Sequence, residues 1–180
     1  MNAEIDIRGV KLYTPRLTLR EWDMSDLEDF FEYASVKGVG EMAGWSAHKN
    51  TEETQEILNS FIEQKKTFAI VYNNKVIGSI GVEKYDEEIL PEFHHKKGRE
   101  IGYVLSKDYW GQGLMPEAVK EVIRWLFENK ELDFIVCGHF DENIQSQKVQ
   151  EKCGFTHYRR KKFDTRYGDV KHGWLSILER

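Results

Sequence analysis

The sequence predicts an α/β fold of the α+β type, with a mixed, mostly antiparallel twisted sheet flanked by helices. Two observations lead to this prediction. Segments with the apolar period of helices occur between segments patterned as strands, in the order β α α β β β α β α β β. Two pairs of strands also follow each other closely enough to form hairpins, so most neighbouring strands are expected to be antiparallel.

The first elements are a strand and a helix. Residues 17–21 alternate between apolar and polar side chains, which is typical of a strand. A helix is predicted to run to about Ser35, and its apolar stripe faces the core. Asp23 and Ser25 are both N-cap candidates for this helix, because short polar side chains accept hydrogen bonds from the first free N–H groups.

A second helix and a hairpin follow. After a loop over 37–50, the helix begins at Thr51, with apolar residues on one face. Strand patterns at 67–72 and 75–82 are separated only by Asn73-Asn74. Asparagine tolerates the left-handed backbone conformations of tight turns, so this pair predicts a hairpin.

The second half contains the remaining strands and helices. Residues 84–98 are a polar loop, acidic first and basic later. The predicted elements after it are a strand at 99–106, a helix at 116–129, a strand at 133–140, a short helix at 144–152 ended by Gly154, and an antiparallel pair at 155–163 and 170–178.

Length and charge limit the classes of function. The 180 residues match one domain, expected to span 1–180. The net charge of −5 does not favour nucleic-acid binding, which needs positive charge against phosphates. The N-terminus lacks a signal-peptide pattern and no stretch reaches the apolar length of a membrane span, so we expect a cytoplasmic protein without a membrane partner. Cys137 and Cys153 are expected to be reduced packing residues.

The most informative segment is a glycine loop between a predicted strand and a predicted helix, Ile101-Gly-Tyr-Val-Leu-Ser-Lys-Asp-Tyr-Trp-Gly-Gln-Gly-Leu-Met-Pro-Glu-Ala. Gly111 and Gly113 allow a ligand to approach the backbone, and free N–H groups at a helix N-terminus attract phosphate. The Walker and dinucleotide-binding patterns do not match. A plain turn, with Pro116 opening the helix, remains an alternative for this loop taken alone.

A second motif lies about thirty residues further on: Asn143-Ile-Gln-Ser-Gln-Lys-Val-Gln-Glu-Lys-Cys-Gly-Phe. Together the two segments resemble the acetyl-CoA-binding motifs of the GNAT superfamily of N-acetyltransferases. Thr14-Pro-Arg-Leu-Thr-Leu-Arg, Gly44-Trp45 and the Thr51-Glu-Glu helix start are similar to its RimJ/RimL branch, which includes acetyltransferases of ribosomal-protein N-termini. The resemblance extends from about residue 12 to 178.

The resemblance implies a GNAT-like fold and transfer of an acetyl group from acetyl-CoA to a primary amine of a protein N-terminus or a small molecule, by direct attack in a ternary complex. No metal is expected, and the enzyme is expected to be a monomer or homodimer. A non-catalytic acyl-CoA-binding module is the alternative. The implied cofactor-binding residues are Tyr103, Val104, Leu105, Trp110, Gly111, Gln112, Gly113, Leu114, Met115, Asn143, Ser146 and Lys148.

Three positions depart from the superfamily pattern. Trp110 stands where Gln or Arg is usual, and Met115 stands where a small residue is usual. Met115 still offers a backbone N–H, but its side chain must point away from the ligand. Gln150 stands where many relatives carry a tyrosine that is a possible proton donor. The proton donor is therefore open.

Two residues are candidates for the chemistry. Glu100 is the base candidate, acting directly or through water, because relatives often use a carboxylate on this strand; a structural pairing with a cation is the alternative. Ser146 is the candidate acid or thiolate-orienting group, and a local backbone hydrogen bond is its alternative. Asn143 is expected to cap its helix as well as contact the cofactor. Lys148 is a phosphate candidate, with a solvated side chain as the alternative.

The acceptor site is expected to involve the loop 37–50, the loop 84–98 and the turn 166–169. Trp22 is expected in the core, whereas Trp45 is either a core or a substrate-contacting residue. The remaining motifs have simpler interpretations. His94-His95 is expected to be a solvated loop rather than a metal site, and 159–162 to be a solvated strand face, with an acidic partner or the 3′-phosphate of CoA as the alternative.

Overall fold

The computed structural model describes residues 1–180, which form eight strands and four α-helices. The strands are β1 (Leu12–Tyr13), β2 (Thr18–Arg20), β3 (Thr67–Tyr72), β4 (Lys75–Glu83), β5 (Gly98–Leu105), β6 (Phe134–Phe140), β7 (Thr156–Asp164) and β8 (Val170–Glu179). The helices are α1 (Leu27–Ala34), α2 (Thr51–Gln64), α3 (Leu114–Asn129) and α4 (Ile144–Lys152). None of these helices combines the length and the hydropathy of a membrane-spanning segment.

All eight strands belong to one sheet in the order β1-β2-β3-β4-β5-β6-β8-β7. Only the β5–β6 pair is parallel, so the predicted fold class, a mixed and mostly antiparallel sheet flanked by helices, is confirmed. The sequence analysis missed β1, because a strand of two residues is too short to show alternation. It also started α3 two residues late, since this helix begins at Leu114 and Pro116 occupies its third position.

The local signals for helices and turns act as predicted. Asp23, and not Ser25, is the first N-cap: its carboxylate accepts from the Ser25 N–H and begins a 3₁₀ turn that leads into α1. Asn50 caps α2 by accepting from the Glu53 N–H. Asn73 and Asn74 have φ values of +47° and +63°, which is the left-handed geometry that joins β3 to β4.

The sheet separates the core into layers. In β3, Phe68 and Ile70 pack with α3 on one face, whereas Ala69 and Val71 pack with α1 and α2 on the other. Trp22 is buried in the α1–α2 layer, as predicted. The loop 84–98 forms a third cluster with β6 and β8, in which its aromatic residues contact the side chains of those strands. The helices α3 and α4 therefore share the face that carries the predicted cofactor motifs.

Candidate active site

The sheet opens at the carboxyl ends of its two parallel strands. β5 and β6 pair from Gly98 opposite Phe134 to Ile101 opposite Cys137, and no further. Beyond this point β5 pairs only with β4, and β6 pairs only with β8. Ligands of open α/β sheets bind in such crevices at the carboxyl ends of strands. The gap lies between the two predicted motifs.

A cavity of about 540 Å³ occupies this gap. Its walls are the end of β5, the loop before α3, the first turns of α3 and α4, and three residues of the loop 37–50. The lining residues that the sequence assigned to the cofactor are Tyr103, Val104, Leu105, Trp110, Gly111, Gly113, Leu114, Met115, Asn143, Ser146 and Lys148. Gln112 and Glu100 are outside the lining. Lys152 is a lining cation that the sequence analysis did not single out.

The loop before α3 presents backbone donors to the cavity. Gly111 and Gly113 both have a φ of +74°, a conformation that L side chains rarely adopt. The N–H groups of residues 111–115 donate to no protein acceptor, and Gly113 caps α3 without a side-chain bond. Met115 is 5% exposed and packs in the core, so its side chain leaves this N–H accessible. The arrangement can bind a phosphate group through backbone hydrogen bonds and the helix dipole.

The side chains of Trp110 and Arg16 stabilise this loop. The Trp110 indole Nε1 donates to the carbonyl of Leu105 at 2.9 Å, which ties the loop back to β5. The Arg16 guanidinium donates to the Gln112 carbonyl at 3.0 Å and to Glu117 Oε1 at 3.0 Å. The sequence analysis missed Arg16, because residues 16 and 117 are too far apart in the chain for any local pattern to pair them. The Gln112 side chain is exposed and only its backbone N–H is available to a ligand.

Asn143 joins α4 to the loop 37–50. Its Oδ1 accepts from the Ser146 N–H at 3.1 Å, so it is the N-cap that the sequence predicted. Its Nδ2 donates to the Met42 carbonyl at 3.3 Å. One side chain therefore sets the start of the helix and the position of a cavity-lining loop.

The Ser146 hydroxyl lies among side chains rather than backbone acceptors. Its Oγ is 2.9 Å from the Tyr103 hydroxyl and 3.4 Å from Gln150 Nε2. Ser146 is 9% exposed and Gln150 is 2% exposed. The alternative of a local backbone bond for Ser146 is not what the geometry shows. Burial raises the pKa of the Tyr103 phenol well above its usual value, so this hydroxyl stays protonated.

Gln150 is buried between α4 and β6. Its Oε1 is 3.0 Å from His139 Nδ1, and its Nε2 donates to the Gly138 carbonyl at 3.1 Å. Burial lowers the pKa of His139, so the ring is neutral at pH 7. The sequence analysis did not identify His139 as part of the site, because the contact between β6 and α4 is tertiary.

Glu100 lies on the opposite face of the sheet from Tyr103 and Ser146. It is the third residue of β5 and is directly opposite Glu83 in the β4–β5 register. Its side chain is 22% exposed, and Lys161 Nζ is 3.9 Å from its Oε2. Burial raises the pKa of Glu100, Lys161 opposes that rise, and the like charge of Glu83 adds to it. A carboxylate with a raised pKa is a stronger base than an exposed one.

Two glycines lie beside Glu100. Gly81 and Gly102 are directly opposite each other on β4 and β5, and Gly102 is exposed although it lies in a central strand. A Cβ built at Gly102 meets no heavy atom within 4 Å, whereas one built at Gly81 would be 3.2 Å from Glu83 Oε1, so the sheet is open to a ligand at Gly102. The sequence analysis missed the pair because register is set by the hairpin turn and by packing.

The predicted acceptor loops have different positions. The loop 37–50 and the β7–β8 turn meet, because Arg166 N–H donates to the Gly44 carbonyl at 2.8 Å and the Tyr167 hydroxyl donates to the Glu41 carbonyl at 3.0 Å. The loop 84–98 instead packs over the third core cluster. Trp45 covers Gly40, where an added Cβ would be 2.1 Å from its ring, and it does not line the cavity.

The remaining candidates lie outside the cavity. His94 and His95 are exposed, and no group of three or more His, Cys, Asp or Glu side chains converges as metal ligands do. The segment 159–162 lines no part of the cavity and includes ion pairs to Glu92, Asp141 and Glu100. Both cysteines are free thiols; burial raises the pKa of Cys137 and raises that of Cys153 to about 11, so neither is a ready nucleophile.

A sheet that opens between parallel strands, with free N–H groups at a helix N-terminus on one face and a half-buried carboxylate on the other, suits a transferase whose co-substrate carries phosphate groups. A family model described as acetyltransferase (GNAT) domain matches residues 16–156, and the chain belongs to this family. It is therefore an N-acetyltransferase that uses acetyl-CoA, and the predicted membership of the GNAT superfamily is confirmed.

Relatives and solved structures agree with this assignment. An N-acetyltransferase called p20 from Bacillus licheniformis is 29% identical over 152 residues, covering 80% of this chain and 81% of its own length. A GNAT-family acetyltransferase from Bacillus anthracis has a TM-score of 0.81 at 22% identity, covering 94% of this chain and 98% of that one. Similarity at this level shows a shared fold.

Two further structures have the same fold. The microcin C7 self-immunity acetyltransferase MccE, in complex with acetyl-CoA and AMP, has a TM-score of 0.78 at 18% identity, covering 93% of this chain and 94% of that one. RimL, the ribosomal L7/L12 α-N-protein acetyltransferase, has a TM-score of 0.78 at 16% identity, covering 95% and 94%. At these identities the likeness shows the fold alone.

Proposed function

We propose that this protein transfers an acetyl group from acetyl-CoA to a primary amine by direct attack in a ternary complex, and that residues 1–180 act as a single domain. One observation carries the proposal. Ser146 lines the cavity on one face of the sheet, and Glu100, a carboxylate with a raised pKa, lies on the other face, one residue before the last β5–β6 pair. In this proposal an amine and a thioester meet at the gap, with the base on one side and the hydroxyl that donates to the thiolate on the other.

The cofactor enters on the face of α3 and α4. The free N–H groups of residues 111–115 are suited to the diphosphate, and Lys148 and Lys152 supply positive charge at the cavity wall. Tyr103, Val104 and Leu105 form the wall at the end of β5, where the sheet no longer pairs. The complex of MccE with acetyl-CoA supports binding of the same cofactor in a protein of this fold.

Glu100 removes the proton of the attacking amine. A peptide α-amino group has a pKa of about 8, so roughly a tenth of it is neutral at pH 7. A lysine side chain, with a pKa of about 10.4, is almost entirely charged at this pH. An α-amine therefore needs less help from a base. The bare backbone at Gly102 leaves room for the acceptor to approach the carboxylate, directly or with one water between them.

Ser146 assists the leaving group. As the amine nitrogen bonds to the carbonyl carbon, the carbon–sulfur bond breaks and the electron pair leaves with the sulfur as a thiolate. A thiol with a pKa of about 8.5 can leave as a thiolate, so a hydrogen bond to the sulfur is sufficient to assist its departure. Ser146 lines the cavity and is positioned by the Asn143 cap. Asn143 also contacts the pantetheine arm in this proposal.

The acceptor is a protein N-terminus or a small-molecule amine. The likeness to RimL favours the former, and the likeness to MccE keeps the latter open. The second candidate function, a non-catalytic acyl-CoA-binding module, is favoured by one observation, which is Gln150 in place of the usual tyrosine.

We propose a monomer or homodimer, and light scattering of the purified protein tests this.

The test is a mass-spectrometric screen for acetylated products, with peptide N-termini, polyamines and aminoglycosides as acceptors. We expect free thiol and an acetylated amine from the wild type. Glu100→Gln is expected to lower kcat by about 10²–10⁴-fold, the usual contribution of general-base catalysis. Glu63→Gln changes an exposed carboxylate on α2 and is the matched control. Tight CoA binding without turnover on every acceptor would favour the binding module.

A further inference from the structure

A phenol contacts Ser146 from the neighbouring strand. In the structure, Tyr103 extends from β5 and its hydroxyl is 2.9 Å from Ser146 Oγ. Tyr103 and Ser146 both line the cavity, whereas Gln150 does not. Tyr103 therefore contacts the serine that our proposed function places at the sulfur.

Two polar groups hold the Ser146 hydroxyl in place. The Tyr103 hydroxyl is 2.9 Å and Gln150 Nε2 is 3.4 Å from Ser146 Oγ, and no backbone carbonyl accepts from this hydroxyl. The phenol also reaches the Ser146 carbonyl at 3.2 Å, and Gln150 Nε2 also donates to the Gly138 carbonyl at 3.1 Å. These contacts fix the position of Ser146 Oγ at the cavity wall. Gln150 is held in this orientation by His139, which contacts its Oε1 at 3.0 Å.

We propose that Tyr103 and Gln150 are positioning residues that hold the Ser146 hydroxyl at the cavity wall, within reach of the thioester sulfur. This inference rests on the proposed function. Ser146 keeps its proton and donates a hydrogen bond to the thiolate as the carbon–sulfur bond breaks, and the thiolate takes its proton from water on release. Because the Tyr103 pKa is raised, the phenol remains a donor and does not pass its proton to the sulfur.

The experiment is a double-mutant cycle of Tyr103→Phe and Ser146→Ala. We expect each single variant to lower kcat by about tenfold with the acetyl-CoA KM unchanged, which is the scale of one hydrogen bond to an ionising group. Tyr103→Phe is expected to have no further effect in the Ser146→Ala background. Tyr158→Phe is the control, because Tyr158 is an exposed residue of β7 whose hydroxyl donates to Glu92.

A second measurement needs no acceptor. The pKa of the CoA thiol bound to the protein is read from thiolate absorbance, and we expect Ser146→Ala to raise it by about one unit, with Tyr103→Phe giving a large part of this rise. Gln150→Met tests the same positioning if Tyr103→Phe does not fold. The inference would be overturned if Tyr103→Phe lowered kcat equally in the wild-type and Ser146→Ala backgrounds. It would also be overturned if only KM changed or if the thiol pKa did not change. Absence of acetyl transfer with a shifted thiol pKa would count against the proposed function instead.

Discussion

Substitution of Gly111 by alanine tests the phosphate loop through backbone strain. Gly111 has a φ of +74°, and a Cβ built there meets no heavy atom within 4 Å. The added methyl group therefore causes no clash within the protein. A residue with a Cβ in the left-handed region costs about 1–2 kcal/mol relative to its ordinary conformation.

The strain has two possible outcomes, and both are measurable. If the loop keeps its conformation, the free energy of unfolding falls by about 1–2 kcal/mol. If the loop relaxes, the N–H groups of residues 111–115 turn away from the ligand. The acetyl-CoA Kd then rises by about 5- to 30-fold, because 1–2 kcal/mol corresponds to that factor in an equilibrium constant. The two losses together are expected to total about 1–2 kcal/mol.

Urea unfolding measures the first loss, and calorimetric titration with acetyl-CoA measures the second. Gly9→Ala is the matched control, since Gly9 has a φ of +68°, equally open surroundings and no place in the cavity lining. We expect Gly9→Ala to lose stability only. The reasoning is refuted if Gly111→Ala changes neither quantity, or if Gly9→Ala weakens acetyl-CoA binding as much as Gly111→Ala does.

Three further predictions concern charge and capping. Glu100 must be ionised to act as a base, so activity is lost as pH falls through its raised pKa. Lys161→Met removes the cation that opposes this rise, and we expect the acidic side of the pH profile of kcat/KM to move to higher pH. A shift to lower pH would contradict the assignment. Lys148→Ala is expected to raise the acetyl-CoA KM by about 3- to 10-fold at low salt, with a smaller effect at high salt and an unchanged kcat, and a salt-independent effect would argue against a charge interaction. Asn143→Ala is expected to lower the free energy of unfolding by about 1 kcal/mol, measured by denaturation, and no loss would mean that the cap is not stabilising.

The features that the sequence predicted are those determined by neighbours along the chain. The Asn143 cap and the Gly111 and Gly113 turns depend on φ values and hydrogen bonds within a few residues, so their patterns are visible without a structure. The hairpin at Asn73-Asn74 is of the same kind. The fold class follows from these local elements, because their order leaves few ways to pair the strands.

The features that the sequence did not predict depend on contacts between distant segments. Tyr103 was assigned only to cofactor binding, because its bond to Ser146 joins residues 43 positions apart. The Arg16–Glu117 pair is separated by 101 positions. Trp45 was left between two roles, and its packing against Gly40 depends on how the loop 37–50 folds on itself. Such contacts depend on tertiary packing, which a local sequence pattern does not predict.

The separation of β5 from β6 gives the middle of the sheet two internal edges. Beyond Ile101 and Cys137, the backbone groups of each strand that face the gap lack a strand partner. An extended ligand with amide groups, such as the pantetheine arm of acetyl-CoA, can pair with these edges as a short additional strand would. The bound cofactor then completes the hydrogen bonding of the sheet. The melting temperature of the protein is expected to rise with acetyl-CoA concentration, as it does for any ligand that binds only the folded state.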